Sequence, residues 1–386
     1  MTALALALLM AASGEPAGAR YFWMSADGLE TTDGIDRLVN LAAASGANGI
    51  IVQVMGRGEA WYHSDLIPEA HVLDTFDPLA RVLLQARPLG LEVHAWVNAF
   101  LSWSAPTPPA DPAHVLLAHP DWFMADPGGR SSASYSRQEC EAAGIVGATL
   151  SPAVPGVRSR LASICAELAS NYDIDGIHLD YIRYPNASFG FEPEARAGFF
   201  LSTGVDPVTL FQGSGRSRPS ISGMENAWLD YRASLVTGTV RTVRAALRSA
   251  APDVTLSCAV MADPGSALRD YSCDWRNWLE EGLVDFVCPM AYTTNRSRAG
   301  ELAVSTTSTD PGSVVYGVAV FNQSLQSALV GATLALDNGA RGICVYSLNT
   351  FDPADCSALK SFWGSSGRPF HPLDPGLFQM TARFSR

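Results

Sequence analysis

Eight short runs of apolar residues alternate along the chain with longer segments whose apolar residues recur at helical spacing. Apolar runs of this length, rich in β-branched residues, are typical of parallel strands that are buried on both faces. The runs span residues 21–25, 49–55, 91–98, 176–181, 254–260, 284–291, 314–320 and 342–348. This repetition predicts an α/β fold, the (β/α)8 TIM barrel. A doubly wound open sheet is the alternative, weakened because no glycine-rich phosphate loop follows the first run.

The segments between the runs predict amphipathic helices. They cover residues 35–45, 78–89, 157–171, 228–249, 275–281, 326–338 and 353–362. Several are followed by a glycine of the kind expected at a helix C-cap: Gly46, Gly90, Gly282 and Gly339. Two connections are long, residues 101–155 after the third strand and residues 186–226 after the fourth. Barrels build their sites at strand carboxyl ends, so we expect these two loops to wall a groove.

The segment 173–185 is the most informative part of the chain. Its apolar residues predict the fourth strand, and His178 and Asp180, two positions apart, would lie on the same side of it. Three aromatic or charged residues follow at once: Tyr181, Arg183 and Tyr184. Ionisable groups at the carboxyl end of a buried strand are typical of an active site. A single buried aspartate could instead order a loop, but the clustering of polar groups favours a site.

Polar and aromatic residues also follow the other predicted strands, whose carboxyl ends converge on one mouth in a parallel barrel. His94, Trp96 and Asn98 alternate along the third strand and would face the same side. The other candidates are Gln53, Arg57, Glu59, Trp61, Tyr62, Tyr292 and Tyr346. Aromatic faces suit the C–H surfaces of sugars and the polar side chains suit their hydroxyls, so the set predicts a carbohydrate groove. Each aromatic taken alone could equally fill the core.

Charge and composition narrow the range of partners. The 386 residues carry a formal net charge of −12 and a pI of about 5.0, which argues against a nucleic-acid partner. No internal apolar stretch is long enough to span a bilayer, and we expect a monomer. The seven cysteines could form one disulfide, but the sequence does not indicate which residues would pair.

The amino-terminal residues 1–19 predict a cleaved export signal, because residues 2–12 are almost continuously apolar and small residues follow them. No basic residue precedes Arg20, so a disordered apolar tag is the alternative. Export would place the protein in the periplasm or outside the cell. The barrel would then occupy residues 20–363, and residues 364–386, which show no clear pattern, would form a tail.

Other chemistries find less support in the sequence. His94, His178, Asp180 and Glu59 could be assembled into a metal site, which stays an alternative although zinc-type ligand spacing is missing. No Gly-x-Ser-x-Gly segment supports a serine hydrolase. No lysine ends a predicted strand, which argues against Schiff-base chemistry. We therefore expect neither a metal nor a cofactor.

Four segments of the chain resemble a known family. They are residues 52–64 (VQVMGRGEAWYHS), 90–98 (GLEVHAWVN), 150–158 (LSPAVPGVR) and 172–185 (YDIDGIHLDYIRYP). They resemble the glycosyl hydrolase-like 10 family of bacterial envelope proteins, and the resemblance extends over residues 20–352. It implies a TIM barrel that hydrolyses glycosidic bonds in a bacterial polysaccharide, with peptidoglycan glycan strands as the expected substrate.

Glycoside hydrolysis uses a pair of carboxyl groups. We expect Asp180 to act as nucleophile or electrostatic stabiliser and Glu59 as acid/base, while Asp27, Asp263 and Asp352 stay open as alternatives for the partner. His178 and Arg183 would hold Asp180 ionised or bind sugar hydroxyls. The other mouth residues would contact substrate.

A second hypothesis is a non-catalytic barrel that only binds glycan. The fourth, sixth and eighth strands are distantly similar to those of chitinase-type barrels, but the acid glutamate of that group falls on Ile182, which cannot donate a proton. No carboxylate ends the seventh predicted strand either. The proton donor must therefore come from another strand end, or it is missing.

Overall fold

A computed structural model describes residues 18–211 and 223–364, and eight parallel strands in them close a barrel. The strands are β1 (Ala19–Met24), β2 (Gly49–Gly56), β3 (Glu92–Asn98), β4 (Gly176–Asp180), β5 (Thr255–Met261), β6 (Phe286–Met290), β7 (Val315–Ala319) and β8 (Gly342–Tyr346). Each strand pairs with its neighbours in sequence, and β8 pairs with β1 to complete the circle. The predicted TIM barrel is confirmed, and each predicted apolar run coincides with one strand.

One main helix follows each strand and packs on the outside of the barrel. The helices are α1 (Thr32–Ala44), α2 (Pro78–Ala86), α3 (Pro155–Asn171), α4 (Met224–Ala250), α5 (Trp275–Glu280), α6 (Arg296–Thr307), α7 (Leu325–Asp337) and α8 (Cys356–Gly364). The four predicted C-cap glycines all have positive φ, the left-handed conformation that stops a helix.

Helix α6 was not expected from the sequence, and its composition explains why. Its buried residues are Ala299, Leu302, Ala303, Thr306 and Thr307. Alanine and threonine give a weak hydrophobic stripe, so the 3.6-residue period that reveals other helices is faint here. The short helices Pro193–Thr203 and Pro264–Tyr271, each begun by a proline, were missed as well.

Alternation along the strands produces two cores. On β1, Phe22 and Met24 pack outward against the helices, whereas Tyr21 and Trp23 point into the barrel. The barrel interior is filled by large or apolar side chains, including Ile51, Trp96, Phe286, Cys288, Val315 and Cys344. The barrel is therefore solid below its mouth, and a ligand must approach from one end.

The two long connections lie at the carboxyl end of the strands. After β3, strands Leu101–Trp103 and Ala148–Thr149 form a small antiparallel sheet, with the helix Val115–Ala118 between them. After β4, the helix Pro193–Thr203 precedes α4. Residues of the first connection reach the mouth of the barrel, where Leu101, Ser104 and Val146 line a cavity of about 450 Å³, the outer cleft.

Most of the predicted export signal and of the predicted tail lies outside the described residues, which begin at Gly18 and end at Gly364. Within them, no helix has the length and apolarity needed to cross a bilayer. All seven cysteines fall in the described part of the chain, and each is a free thiol.

Candidate active site

Two adjoining cavities open at the carboxyl end of the barrel. The outer cleft, of about 450 Å³, is lined by Ala26, Asp27, Glu30, Gln53, Gly56, Arg57, Glu59, Trp61, Trp96, Asn98, Leu101, Ser104, Val146, Tyr181 and Tyr346. The Asp180 well, of about 160 Å³, is lined by Trp23, Trp96, Asp180, Tyr181, Ala259, Met290, Tyr292, Phe321 and Tyr346. Trp96, Tyr181 and Tyr346 line both cavities, so a ligand longer than either cavity could occupy both.

Asp180, the last residue of β4, is the carboxyl group of the well. It is 7% exposed, and its main-chain carbonyl accepts a hydrogen bond from Ala99 N at 2.7 Å. Its Oδ1 accepts from Tyr181 N at 2.6 Å and lies 3.5 Å from the Arg183 guanidinium. No hydrogen bond within the described residues engages Oδ2. One carboxylate oxygen is thus fixed by the protein while the other is left for a ligand.

Burial and the neighbouring groups shift the pKa of Asp180 in opposite directions. Burial raises the pKa of Asp180, whereas the Arg183 guanidinium and the Tyr181 N–H lower it. Arg183 also lies over the Tyr181 ring, 4.6 Å from its centroid. Tyr181 has a φ of 50°, a left-handed conformation that a bulky residue rarely adopts. Unusual backbone geometry of this kind is enriched at functional sites.

Glu59 reaches the outer cleft from a tight hairpin after β2. The short strand Glu59–Ala60 pairs antiparallel with the end of β2, and the two-residue turn between them is Arg57–Gly58, with φ of 54° and 75°. Two successive positive φ values define the hairpin turn that matches strand twist, and arginine is a costly residue there. The turn places Arg57 and Glu59 side by side in the cleft.

His114, from the long connection after β3, holds this turn. Its Nδ1 accepts a hydrogen bond from Leu116 N at 3.1 Å, which puts the ring proton on Nε2. Nε2 then donates to the Arg57 carbonyl at 2.7 Å. The ring is fully buried, and burial lowers its pKa, so it remains the neutral tautomer that both bonds need. Sequence reasoning missed His114, since its only signal is a histidine at the start of a short helix.

The surroundings of Glu59 favour its protonated form, which is the form that a proton donor needs. Burial raises the pKa of Glu59, and the charges of Arg57 and His71 only partly offset that rise. A carboxyl group with a raised pKa keeps its proton closer to neutral pH, as a general acid must.

A chain of polar side chains links the cleft floor to β3. Asn98 Oδ1 accepts from Trp96 Nε1 at 2.9 Å and from Gln53 Nε2 at 3.4 Å. Gln53 Oε1 in turn accepts from Ala26 N at 3.1 Å. These bonds fix the orientation of both amides, so Gln53 and Asn98 present defined polar atoms to a ligand in the cleft.

Three predicted substrate-binding residues are not at the mouth, and for them the prediction is corrected. His178 is fully buried below Asp180, where its Nε2 accepts from Trp23 Nε1 and its Nδ1 donates to Ser257 Oγ. Burial lowers its pKa to about 3, so it is neutral and cannot hold Asp180 ionised. His94 is 2% exposed beside Glu92, at the opposite end of β3 from the mouth.

Tyr62 is the third correction. Its ring has no exposed surface, and its hydroxyl donates to Glu167 Oε2 at 3.0 Å on α3. It ties the hairpin loop to the outer helices. The other predicted mouth residues line the outer cleft or the Asp180 well, except Arg183, which acts on Asp180 directly, and Tyr184, which is fully buried against Arg232.

The structure also shows which of the three alternative carboxylates lie near the cavities. Asp27 lines the outer cleft, where its Oδ1 accepts from Asn349 Nδ2 at 3.0 Å. Asp263 caps the helix Pro264–Tyr271 and pairs with Arg298 at 2.6 Å, and Asp352 caps a short turn. The last two are structural, so Asp27 alone of these three lies in the cleft. Within the described residues, no group of three potential ligands could hold a metal ion.

Phe321 is the second site residue that the sequence did not reveal. It follows β7, has no polar atom, and lines the Asp180 well. The available signal was an aromatic residue two positions beyond a strand end, as for Tyr292 after β6.

A closed parallel barrel with carboxyl groups and aromatic rings at the carboxyl end of its strands is the architecture of glycoside hydrolase barrels. The sequence pattern that defines one such group, glycosyl hydrolase-like 10, matches residues 20–318. The chain therefore belongs to the glycosyl hydrolase-like 10 family.

Similar proteins agree with this assignment. The chain is 24% identical over 297 residues to glycosyl hydrolase YngK of Bacillus subtilis, covering 70% of this chain and 51% of the relative. It is 25% identical over 290 residues to glycosyl hydrolase DigH of Escherichia coli K12, covering 67% and 57%. The chain thus spans little more than half the length of these relatives.

The fold also matches a solved structure. The glycoside hydrolase domain of PgaB (BpsB) from Bordetella bronchiseptica superposes with a TM-score of 0.68 at 15% identity. The match covers 89% of this chain and 98% of that domain. At this identity the likeness concerns the fold alone.

Proposed function

We propose that this chain is a glycoside hydrolase that cleaves a bacterial polysaccharide, the glycan strands of peptidoglycan. The observation that carries the proposal is Asp180. Its Oδ1 is fixed by Tyr181 N and Arg183, and Oδ2 is free at the base of an aromatic well. Family membership supports hydrolysis, and the resemblance to bacterial envelope proteins supports the choice of polysaccharide.

Asp180 serves as nucleophile or as electrostatic stabiliser of the oxocarbenium-like transition state. Both roles need the ionised form, which the Arg183 guanidinium and the Tyr181 N–H favour against burial. Because Oδ1 is occupied, Oδ2 is the atom that faces the anomeric carbon.

Glu59 serves as the general acid that protonates the leaving oxygen. Its raised pKa suits this role, and it lies in the outer cleft, which adjoins the Asp180 well. The bond to be cleaved then lies where the two cavities meet, near Trp96, Tyr181 and Tyr346. Activity falls at low pH as Asp180 gains its proton and at high pH as Glu59 loses its own.

The proposal is tested by incubating the full chain with purified peptide-free glycan strands and measuring new reducing ends. Chitin and cellulose serve as comparison polymers. We expect release of reducing ends from the glycan strands and a product ladder by mass spectrometry. Binding to the strands without any release would overturn hydrolysis and support a glycan-binding barrel instead.

We also propose that the protein is exported, which the apolar residues 2–12 support. Residues 1–25 fused to a phosphatase reporter that is active only outside the cytoplasm would test it. Active reporter is expected, and reporter activity no higher than that of a leaderless fusion would contradict export.

A further inference from the structure

Phe321 presents an exposed aromatic ring at the rim of the Asp180 well. The side chain is 55% exposed, yet it contacts both tyrosines of the well. Its ring is perpendicular to Tyr292 and Tyr346, with centroids at 6.2 and 5.8 Å and interplanar angles of 90° and 89°. The two tyrosines stack on each other at 5.5 Å, and Trp23 contacts both from inside the barrel. The rings thus form a column from the core to solvent.

The loop that carries Phe321 is held from two sides. Val320 N donates to the Tyr346 carbonyl at 2.9 Å, which joins the loop to β8. Gln323 Nε2 lies 3.3 Å from the Thr293 carbonyl, which joins it to the loop after β6, and 3.3 Å from the Ala319 carbonyl. The ring is therefore positioned before any ligand arrives, and little conformational entropy is lost on binding.

Exposure of a phenylalanine is not by itself a sign of function, because single exposed apolar residues are common. Phe200, on the helix Pro193–Thr203, is 52% exposed and lines neither the well nor the outer cleft. Phe321 differs from Phe200 in its ring contacts and in its place beside Asp180. A phenyl ring offers only an apolar face, so its ligand must present an apolar surface as well.

We propose that Phe321 is a stacking residue that binds one face of a pyranose of gluco configuration in the Asp180 well, an inference that rests on the proposed function. In a β-linked sugar of this kind all ring substituents are equatorial, so both faces expose only axial C–H bonds. Galacto and manno sugars carry an axial hydroxyl on one face, the face that bears H2 and H4 in a gluco sugar, and leave the other face apolar. With the H2/H4 face against the phenyl ring, Phe321 selects the substrate by ring configuration.

The test compares Phe321→Ala with Phe200→Ala, the same substitution at a residue of equal type and exposure. With glycan strands as substrate, we expect Phe321→Ala to raise KM about tenfold, which corresponds to about 1.4 kcal/mol, and to change kcat less than about twofold. Phe200→Ala should leave both unchanged. Phe321→Trp should restore the wild-type KM, whereas Phe321→Leu, which is apolar but not flat, should not. Thermal unfolding checks that each variant is folded.

The outcomes separate this inference from the function on which it rests. An unchanged KM in Phe321→Ala, or a wild-type KM in Phe321→Leu, would overturn stacking, and so would a lower kcat with unchanged KM. If wild type releases no reducing ends, hydrolysis fails, and the same variants are compared by retention on immobilised glycan strands. In that assay, equal retention of Phe321→Ala and Phe200→Ala would overturn the stacking role. A gluco-configured tetramer should compete with the strands at least tenfold better than a galacto-configured one, and equal competition would contradict the selection.

Discussion

The carboxylates at the two ends of the barrel lie in different surroundings. At the amino-terminal end, Asp285, directly before β6, accepts two hydrogen bonds from Arg244 at 2.8 and 2.7 Å and one from Leu256 N at 2.7 Å. Asp175, directly before β4, similarly binds Arg87 and Val93 N. At the carboxyl-terminal end, Asp180 also has a main-chain N–H and an arginine as partners, but it is more deeply buried than Asp175, and both Asp180 and Glu59 face cavities.

The pKa directions follow the surroundings. Burial alone would raise the pKa of Asp285, but Arg244 and the Leu256 N–H bring it below its usual range. The pKa of Glu92, also at the amino-terminal end, is lowered chiefly by its hydrogen bond with His94. The pKa values of Asp180 and Glu59 are raised by burial. Carboxylates at one end thus stabilise the barrel, whereas those at the other have raised pKa values and line cavities that a ligand can enter, as catalysis requires.

The largest effect expected is on activity in Asp180→Asn. The amide keeps the shape but loses the charge, so kcat for reducing-end release should fall at least about 10³-fold. Stability should not fall, because the substitution removes a charge that burial disfavours. Asp285→Asn is the matched control and should keep wild-type kcat per folded molecule. Near wild-type turnover in Asp180→Asn would refute the assignment.

Glu59→Gln should cost about 10²- to 10⁴-fold on glycan strands, the range expected for loss of a general acid. The loss should be much smaller on an aryl glycoside whose leaving group needs no proton. Equal losses on the two substrates would show that Glu59 is not the acid. Asp27→Asn then becomes the next variant to measure, because Asp27 lines the same cleft.

At the opposite end, Asp285→Asn should lower the free energy of unfolding by about 1.5–3 kcal/mol at pH 7, the range for hydrogen bonds to charged groups. The folded-state pKa of Asp285 is lowered, so its stabilisation is present above the unfolded pKa of about 3.9 and is lost below it. Urea unfolding should therefore show the gap to wild type narrowing as the pH falls below about 4. A gap independent of pH would contradict the ion-pair account.

The smallest effect concerns the turn that carries Glu59. His114→Asn retains an acceptor where Nδ1 caps Leu116 N but loses the donor to the Arg57 carbonyl, whereas His114→Gln retains a donor in place of Nε2. Loss of one hydrogen bond is worth about 0.5–1.5 kcal/mol, so kcat should fall about two- to tenfold in His114→Asn and less in His114→Gln. Equal kcat in the two variants, with both folded, would show that the Arg57 contact does not position Glu59.

The sequence was sufficient for the barrel because each strand is a continuous apolar run that only burial on both faces explains. The sequence was less informative about how deep in the barrel each inward-facing residue lies. Alternation puts His94 and Asn98 on one side of β3, but four residues at about 3.3 Å each separate the barrel floor from the mouth. His178, two residues before Asp180, is likewise one layer too deep. His114 escaped because its role depends on a contact between loops, and Phe321 because its one local signal is an aromatic residue two positions beyond a strand end.

The most direct test of the account is a crystal structure of Asp180→Asn with a gluco-configured tetrasaccharide bound. The account predicts one sugar ring in the Asp180 well, its anomeric carbon about 3–3.5 Å from the side chain at position 180, and the neighbouring ring in the outer cleft near Glu59. A tetrasaccharide bound elsewhere on the barrel, or one whose anomeric carbons all lie out of reach of that side chain, would contradict it.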